Sequence, residues 1–537
     1  MKNAHPTLAM TLAALSPLTL SAGETRAIAA DLADVAGPTS RMGEFCVGAG
    51  RANEGLRADW QRQLAEVKKE CGFQYLRFHG LFTDDMGVVL KDKSGKLVYN
   101  WQYVDELFDY MLSIDVKPFV ELGFMPRAIA SGDKTIFWWR GNVTPPRDYA
   151  DWEALVKAAV THWTDRYGEN EVKSWFFEVW NEPNLTGFWI GEELGMKGEE
   201  WQEFAREQYF RLYDASAKAV KAVNAAYKVG GPATAGNAWV PEMLDHCAKT
   251  GTPIDFVTTH HYCVLSGYLD EFGTTGTVFS PDREAMIREV KGVRKEIAAS
   301  AFPTLPLYYT EWSSSYTPSD PIHDSYASAA FILSKLKGIG DAAQGMSYWT
   351  FTDIFEEAGP RDRVFHGGFG LINLQDIRKT SFYAYKFLHA LGGTELKNTD
   401  PESWVTKDDK GGAQALFWDF TILGPNEQGV NNQQFYSRDL PAKDAAPVAL
   451  SLKNLAPGKY RLTATRAGYR SGDAYTAYLD IGAPAELTRA QVTELKKAAE
   501  VTPFLDEVVT VAKDGTFARN FAMRQNDVVL VTLEPVK

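Results

Sequence analysis

The chain has 537 residues and a formal net charge of -13. This length exceeds one ordinary domain, so the sequence predicts two or three domains with a large core. The acidic balance argues against nucleic-acid partners, because proteins that bind them concentrate Lys and Arg where phosphates are neutralised. The four cysteines, Cys46, Cys71, Cys247 and Cys263, are too few and too scattered for a disulfide scaffold, so we expect buried thiols.

The N-terminus carries the pattern of a secretory signal. Lys2 precedes an apolar stretch at residues 8–20, which Pro17 interrupts, and small residues follow at 21–23. We therefore expect residues 1–22 to be a signal peptide and the protein to be periplasmic or secreted, with a cytoplasmic location as the alternative. Later segments all fall short of the about 20 unbroken apolar residues that span a bilayer, so we expect no membrane association.

Between residues 44 and 351, short β-rich runs alternate with longer helical segments, which is the pattern of βα units around a parallel sheet. Strands are predicted at residues 45–48, 75–79, 117–122, 175–180, 228–230, 256–260, 307–311 and 346–350. Apolar residues at helical spacing occupy 58–71, 101–113, 149–167, 201–226, 283–299 and 324–337, and a last helix is predicted at 382–391. The sequence thus predicts an α/β fold, a (β/α)8 TIM barrel over residues 40–392.

The pattern of residue types changes after the predicted barrel. Short alternating runs bounded by Gly, Pro and Asp lie at residues 413–422, 448–452, 460–464, 475–481 and 528–533, with a helical insertion at 488–499. This pattern is typical of an antiparallel β-sandwich. We therefore expect a C-terminal β-sandwich accessory domain at residues 393–537, to which about residues 25–39 add a strand.

Polar side chains end six of the predicted barrel strands. In a barrel of this kind the C-terminal strand ends line the active site. Any one such residue is more often a helix cap or a surface group, but the convergence of six strand ends predicts a site. The residues are His79, Glu121, Asn181 with Glu182, His260, Glu311 and Asp353.

Two of these residues are glutamates at the ends of β-rich runs, Glu182 and Glu311. Two carboxyl groups in one cleft can break a glycosidic bond, one by protonating the leaving oxygen and the other by attacking the sugar carbon. We expect Glu182 to be the neutral donor and Glu311 to stay ionised. Their separation should be about 5 to 5.5 Å if the reaction retains configuration.

Strand parity predicts a supporting ion pair. Glu178, Trp180 and Glu182 should share one face of their strand, which would point Glu178 into the barrel. A buried carboxylate there needs a partner, and Arg77 on an earlier strand is the natural one. The same arginine could donate to Glu311 and keep it ionised.

Several separate motifs resemble glycoside hydrolase family 39, the β-xylosidases. The resemblance runs from about residue 42 to 390, and its motifs occur in the expected order, whereas Asn-Glu-Pro alone would indicate only the wider superfamily with two glutamates on strands four and seven. The motifs lie at residues 48–53, 77–80, 180–183, 260–262, 310–313, 353–357 and 365–371.

The resemblance implies roles for these residues. Glu182 would be the general acid/base and Glu311 the nucleophile of a retaining double displacement, while Asn181 would bind the sugar 2-OH. Tyr262 resembles the tyrosine beside the nucleophile. Residues resembling those that hold the terminal sugar are His79, His260, Trp349, Glu356 and Glu357, although adjacent glutamates are more often solvated loop charges on sequence alone.

We expect neither a metal nor a cofactor. His260, His261 and Cys263 are residue types that bind metals, but a second cluster to complete a tetrahedral site is missing from the sequence. The Gly-rich runs at 230–233 and 367–370 lack the spacing and the Lys-Ser/Thr sequel of a phosphate loop, so they are interpreted as tight turns.

The sequence favours an exo-acting enzyme that releases terminal β-D-xylose from xylo-oligosaccharides. Long loops at residues 312–321 and 351–369 should block one end of the groove and leave a pocket. An α-L-arabinosidase is an alternative on the same site. An α-L-iduronidase ranks lower because only Arg361 and Arg363 are near enough to meet a substrate carboxylate.

From a different class, a catalytically silent carbohydrate-binding protein is disfavoured because both glutamates are present. The expected partner is an oligosaccharide, and the sequence leaves a homo-oligomer open.

Overall fold

The computed structural model describes residues 24–190, 194–266, 276–424 and 430–536. The predicted signal peptide, residues 1–22, lies outside the described residues and stays a prediction. Among the helices that are described, none combines the length and the apolar character needed to cross a bilayer.

The strands and α-helices of these residues define the architecture. In chain order the strands are β1 Arg26–Asp31, β2 Val35–Pro38, β3 Cys46–Arg51, β4 Tyr75–His79, β5 Val89–Lys91, β6 Leu97–Tyr99, β7 Lys117–Leu122, β8 Thr135–Ile136, β9 Gly141–Asn142, β10 Phe176–Val179, β11 Lys228–Ala235, β12 Phe256–Tyr262, β13 Val264–Ser266, β14 Val278–Phe279, β15 Leu307–Ser313, β16 Gly345–Tyr348, β17 Thr394–Leu396, β18 Ser403–Lys407, β19 Ala413–Trp418, β20 Asp444–Lys453, β21 Gly458–Ala467, β22 Pro503–Val511, β23 Phe517–Arg524 and β24 Val528–Pro535. The α-helices are α1 Ala58–Cys71, α2 Gln102–Ser113, α3 Tyr149–Tyr167, α4 Glu169–Val172, α5 Gly198–Val223, α6 Val240–Thr250, α7 Ala285–Ala299, α8 Ser328–Ile339, α9 Thr380–His389, α10 Asn432–Tyr436, α11 Ala474–Asp480 and α12 Arg489–Ala499.

Eight parallel strands close into a barrel, which confirms the predicted (β/α)8 fold. Its members are β3, β4, β7, β10, β11, β12, β15 and β16. All eight predicted strands overlap these members, with boundaries that shift by a few residues. The largest difference is in β11, which continues to Ala235 because the Gly-Pro-Ala segment extends the strand beyond the predicted end at residue 230.

The barrel interior is apolar at its lower end and charged above. Phe119 and Phe176 stack with ring centroids 5.0 Å apart, and Phe256 and Tyr308 meet them edge-on. Two residues further along, β10 places the carboxylate of Glu178 on the same inward face as Phe176, because side chains alternate along a strand. Polar groups therefore collect toward the C-terminal strand ends, where the site lies.

The C-terminal region forms two facing sheets. One has the strand order β1-β20-β23 and the other β2-β17-β18-β19-β24-β21-β22. Phe417 and Phe521 meet across the interface with ring centroids 5.6 Å apart, within a shared buried core. The pairings are antiparallel except for β1, which runs parallel to β20. The sandwich prediction is therefore confirmed, and residues 26–38 contribute a strand to each sheet.

One predicted strand of this region is wrong. Residues 475–481 do not form a strand, because α11 covers Ala474–Asp480. The side chain of Asp473 accepts from the backbone N–H of Thr476, and the buried Tyr475 and Tyr478 are three residues apart, which is helical spacing. The helical insertion is confirmed as α12, with a capping box between Thr488 and Gln491.

Candidate active site

A fully buried arginine organises the C-terminal end of the barrel. Arg77 Nε donates to Glu178 Oε2 at 2.7 Å, and its Nη1 donates to Glu311 Oε1 at 2.6 Å. Its Nη2 donates to Asn181 Oδ1 at 2.8 Å and lies 2.9 Å from Glu121 Oε2. The predicted Arg77–Glu178 pair is confirmed, and one guanidinium on β4 links side chains from β7, from β10 and the residues that follow it, and from β15.

The predicted strand parity fails beyond Glu178. Trp180 and Glu182 have φ values of 68° and 44°, so the chain leaves regular strand geometry after Val179. The Trp180 indole turns away to pack against Trp152 of α3, with ring centroids 6.2 Å apart. Trp180 therefore does not share a face with Glu182, because the left-handed backbone rotates successive side chains away from strict alternation.

Glu311 is held by two donors. Besides Arg77, the Tyr262 hydroxyl donates to Glu311 Oε2 at 2.7 Å. The pairing register shifts beside Glu311, between Thr259 and His260 on β12. A guanidinium and a phenol thus donate to separate oxygens of Glu311 and hold its carboxyl group in one orientation.

The environment of Glu182 favours the protonated form of its carboxyl group. Burial raises the pKa of its carboxyl to about 8, which Arg77 opposes and the nearby Glu121 carboxyl reinforces. One carboxylate oxygen of Glu182 and one of Glu311 lie within 4.8 Å of each other. This distance is shorter than the about 6.5 to 9.5 Å of an inverting pair and favours a retaining pair, whose carboxyl groups are about 5 to 5.5 Å apart.

A chain of hydrogen bonds assigns the proton of Glu182. Thr310 Oγ1 donates to Glu178 Oε1 at 2.7 Å, so its lone pairs face His260 Nε2 at 3.1 Å. His260 must therefore donate through Nε2 and present an unprotonated Nδ1, since burial lowers the pKa of its ring to about 4. That Nδ1 lies 2.8 Å from Glu182 Oε1 and can only accept there, which favours protonated Glu182.

A second group of residues lies on the side of β4 and β16. His79 Nδ1 is 2.7 Å from Glu121 Oε2, while its Nε2 lies 3.6 Å from Glu311 Oε1 and 3.6 Å from Glu357 Oε1. The ring of Trp349 is centred 4.8 Å from that of His79. Glu357, His79 and Trp349 thus lie close together beside Glu311.

Glu356 has different partners from Glu357. Its carboxylate oxygens accept from Arg51 at 2.9 Å and from Arg57 at 3.0 Å. Its backbone N–H donates to Glu54, whose carboxyl pKa burial raises to about 8. The structure therefore pairs Glu356 with arginines, and its predicted contact with sugar stays a prediction.

The structure places Asp353 away from the group around Arg77. Lys379 Nζ lies 2.7 Å from Asp353 Oδ2 and 2.7 Å from Asp324 Oδ1, and all three side chains are fully buried. Asp353 also accepts from the Gly370 backbone N–H. This ion cluster fastens the loop after β16, which carries Glu356 and Glu357, to the loop that leads into α8.

Glu182, His260 and Glu311 are also residue types that can hold a metal ion. Arg77 already provides a positive charge 2.6 Å from Glu311, and a second cation beside it would be repelled. The arrangement therefore suits acid and nucleophile roles better than coordination, and the expectation of no metal stays a prediction.

Sequence reasoning missed two contributors. Thr310 precedes Glu311 and shares the inward face of Tyr308, a signal that parity offered. The aromatic run at residues 137–139 lies in the loop after β7, where Phe137 stacks near His79 with ring centroids 6.0 Å apart. Three consecutive large aromatic residues in the segment after β7 were the sequence signal that could have identified this loop.

Known proteins resemble this chain over most of its length. The model for Glycosyl hydrolases family 39 matches residues 28–517. A beta-xylosidase of Geobacillus stearothermophilus is 36% identical over 501 residues, covering 92% of this chain and 93% of that protein. A beta-xylosidase of Caldicellulosiruptor saccharolyticus is 38% identical over 471 residues, covering 87% and 90%. The crystal structure of a monomeric beta-xylosidase from Caulobacter crescentus CB15 has a TM-score of 0.89 and 45% identity, covering 95% of this chain and 100% of that one. The similarity therefore includes both the barrel and the C-terminal sheets.

Proposed function

The chain belongs to glycosyl hydrolases family 39, and from that membership we propose an exo-acting enzyme that releases terminal β-D-xylose from xylo-oligosaccharides with retention of configuration. One observation carries the proposal. A carboxyl group with a raised pKa, Glu182, lies within 4.8 Å of a carboxylate that is held by a guanidinium and a phenol, Glu311. Retaining glycosidases use two carboxyl groups in different environments, one that keeps its proton and one that attacks as a carboxylate.

In the first step Glu182 donates its proton to the glycosidic oxygen while a carboxylate oxygen of Glu311 attacks the anomeric carbon. The carbon–oxygen bond to the leaving group breaks and an ester bond to Glu311 forms. The donor is supported by His260, whose Nδ1 faces the Glu182 carboxyl at 2.8 Å. The nucleophile is supported by the donors Arg77 and Tyr262.

In the second step water attacks the anomeric carbon and gives its proton to Glu182, now a carboxylate. The ester bond to Glu311 breaks, and two inversions at one carbon yield net retention. The short separation of the two carboxyl groups supports this course, because an inverting pair is about 6.5 to 9.5 Å apart to hold a water.

Asn181 is the proposed contact for the sugar hydroxyl next to the reacting carbon. Its Oδ1 accepts from Arg77, while its Nδ2 is buried without a hydrogen-bond partner among the described residues. A buried donor left unpaired is unfavourable, so a bound hydroxyl would satisfy it. This supports tight binding of a sugar directly in front of Glu311.

The proposed contacts for the remaining hydroxyls are His79 and Glu357, with Trp349 offering an apolar face. The pKa of the His79 ring is lowered to about 3 by burial, so a neutral imidazole would meet the sugar. These groups concentrate on one ring, which supports a pocket for a terminal residue. Single-residue release follows from such a pocket.

Turnover of 4-nitrophenyl glycosides tests the proposed function. We expect the highest kcat/KM on β-D-xylopyranoside compared with the α-L-arabinoside, the β-D-glucoside and the α-L-iduronide. Proton NMR of the first product should show β-xylose before mutarotation. A preference for another glycoside would contradict the substrate, and early α-xylose would contradict retention.

We also propose that the protein is exported to the periplasm or beyond the cell. The apolar stretch at residues 8–20 behind Lys2 supports this. Fractionation of cells that express the full chain, with N-terminal sequencing of the product, tests it. An uncleaved product in the cytoplasmic fraction would contradict export.

A further inference from the structure

We propose that Trp138 and Gly359 together form a wall that closes the pocket beyond the terminal sugar and limits each turnover to one xylose. We call this pair the glycone wall, the glycone being the sugar that is released. The inference rests on the proposed function and deepens it, since it assigns the residues that set how many sugars the glycone side accepts.

The two ends of the pocket are distinguished by their chemistry. The leaving group must lie beside the acid, and Glu182 donates its backbone N–H to Ala233 of β11 while its carboxyl meets His260 of β12. The side chains around the terminal sugar come instead from the other side of the barrel, namely His79 of β4 and Glu357 of the loop after β16. A second glycone sugar would therefore extend past Glu357.

A hairpin tip adjoins Glu357. Strands β8 and β9 pair antiparallel in the loop after β7, and residues 137–140 form their turn. The turn is tight, since Phe137 and Arg140 have φ values of 66° and 56°. Its Trp138 backbone N–H donates to the Glu357 carbonyl oxygen at 2.7 Å. The hairpin is thus joined to the segment that would hold the sugar hydroxyls.

The indole of Trp138 packs on Gly359. A Cβ at Gly359 would lie 3.1 Å from both Cγ and Cδ1 of Trp138, and the glycine has a φ of 77°, which suits its lack of a side chain. Residue Trp138 is nevertheless 58% exposed, although the neighbouring Phe137 packs inward against His79 and Phe188. Trp138 therefore adds little to the core, but its indole makes a contact between two loops. A side chain in that position is suited to shaping the site.

Removing the indole should open the pocket at this end. In a Trp138→Ala variant the space over Gly359 becomes free, and a second xylose can extend beyond the first. The chemistry at Glu182 and Glu311 is untouched, so hydrolysis of single-sugar substrates should continue. The change should appear in which bond of a longer substrate is cut first.

The substrate 4-nitrophenyl β-1,4-xylobioside makes this visible. A wild-type enzyme with a closed wall first releases xylose, and 4-nitrophenol follows only after a lag. We expect Trp138→Ala to release xylobiose and 4-nitrophenol without a lag. The initial ratio of xylobiose to xylose should rise by about ten-fold or more, equivalent to about 1.4 kcal/mol of binding in the opened subsite.

Two comparisons make the result specific. Phe504→Ala removes an aromatic side chain of similar exposure, 50%, from β22 of the C-terminal sheet and should leave the product ratio of the wild type. Trp138→Phe keeps a smaller ring on Gly359 and should give an intermediate ratio. It also serves as the test if the alanine variant does not fold.

The outcomes separate the two proposals. Wild-type enzyme that does not cleave 4-nitrophenyl β-xyloside would overturn the proposed function. Active wild type with an unchanged product ratio in both Trp138 variants would overturn the glycone wall alone. A higher KM for xylobiose without release of xylobiose from the aryl substrate would also overturn it, because the indole would then be a platform on the leaving-group side.

Discussion

His260 Nδ1 lies 2.8 Å from Oε1 of Glu182, and the hydrogen bonds behind the ring leave that nitrogen only the role of acceptor. Thr310 sets this tautomer of His260. Its hydroxyl donates to Glu178, so it can only accept from His260 Nε2. The proposed acid proton on Glu182 thus depends on the carboxylate of Glu178, which lies on β10, the strand that leads to Glu182. Hydrogen bonds through Glu178, Thr310 and His260 thus connect Arg77 to Glu182.

The Thr310 hydroxyl should influence the pH dependence of catalysis. In Thr310→Val the acceptor for His260 Nε2 is lost, so protonated Glu182 loses a partner that favours it. Because one hydrogen bond contributes about 0.5 to 1.5 kcal/mol, the basic limb of kcat/KM should move down by about one pH unit or less. Thr310→Ser keeps the hydroxyl and should retain the wild-type limb. An unshifted limb in the valine variant would refute the proton assignment.

The wild-type pH profile should show a basic limb near pH 8. Burial raises the pKa of Glu182 from 4.5 to about 8, so the donor is protonated below that value and activity falls as pH rises through it. The limb should be strong for xylobiose, whose leaving group needs a proton. With 2,4-dinitrophenyl β-xyloside the limb of the glycosylation step should be weak, and equal limbs for both substrates would point to another group.

Loss of the acid should depend on the leaving group. Glu182→Ala should lower kcat/KM for xylobiose by about 10²- to 10⁴-fold, the usual contribution of general acid catalysis. The dinitrophenyl substrate should lose far less in this step. Added azide should give the β-xylosyl azide, since it attacks the glycosyl-enzyme from the face that water uses. Glu106→Gln, on an exposed position of α2, is the matched control and should behave as wild type.

Loss of the nucleophile should have the opposite stereochemical signature. Glu311→Ala should abolish turnover even of activated substrates, because the covalent intermediate can no longer form. Azide should then restore release of the aryl group and give the α-xylosyl azide, entering from the face that the carboxylate left. Identification of the β-azide with this variant would mean that the roles of Glu182 and Glu311 are exchanged.

Gly48 makes room for the indole of Trp349, the proposed apolar face for the sugar. A Cβ on this residue would lie 2.3 Å from Cε3 of Trp349, so Gly48→Ala must displace the indole. Overpacking of this kind destabilises by about 1 to 3 kcal/mol, and we expect a lower Tm with a higher KM for xylosides. Gly292→Ala in α7 meets nothing within 4 Å and should leave Tm unchanged or slightly raised. An unchanged KM in Gly48→Ala would contradict the placement of Trp349 against the sugar.

The sequence alone determined the barrel, its two glutamates and the partner of Glu178. These features depend on local patterns, because β-rich runs mark the strands and a period of two decides which side chains face inward. Arg77 and Glu178 could be paired from parity, since a buried charge requires an opposite one. The motifs around Glu182 and Glu311 then pointed to the family.

Only the tertiary structure decided features in which local pattern and packing compete. The left-handed backbone at Trp180 and Glu182 breaks the period of two, and residues 475–481 have β-forming side chains but follow a capping aspartate into a helix. The pairing of Glu356 with Arg51 and Arg57 joins segments about 300 residues apart, as the contact of Trp138 with the loop after β16 joins two separate loops. Such contacts depend on how the loops pack above the barrel, and the spacing of residues along the chain does not specify that packing.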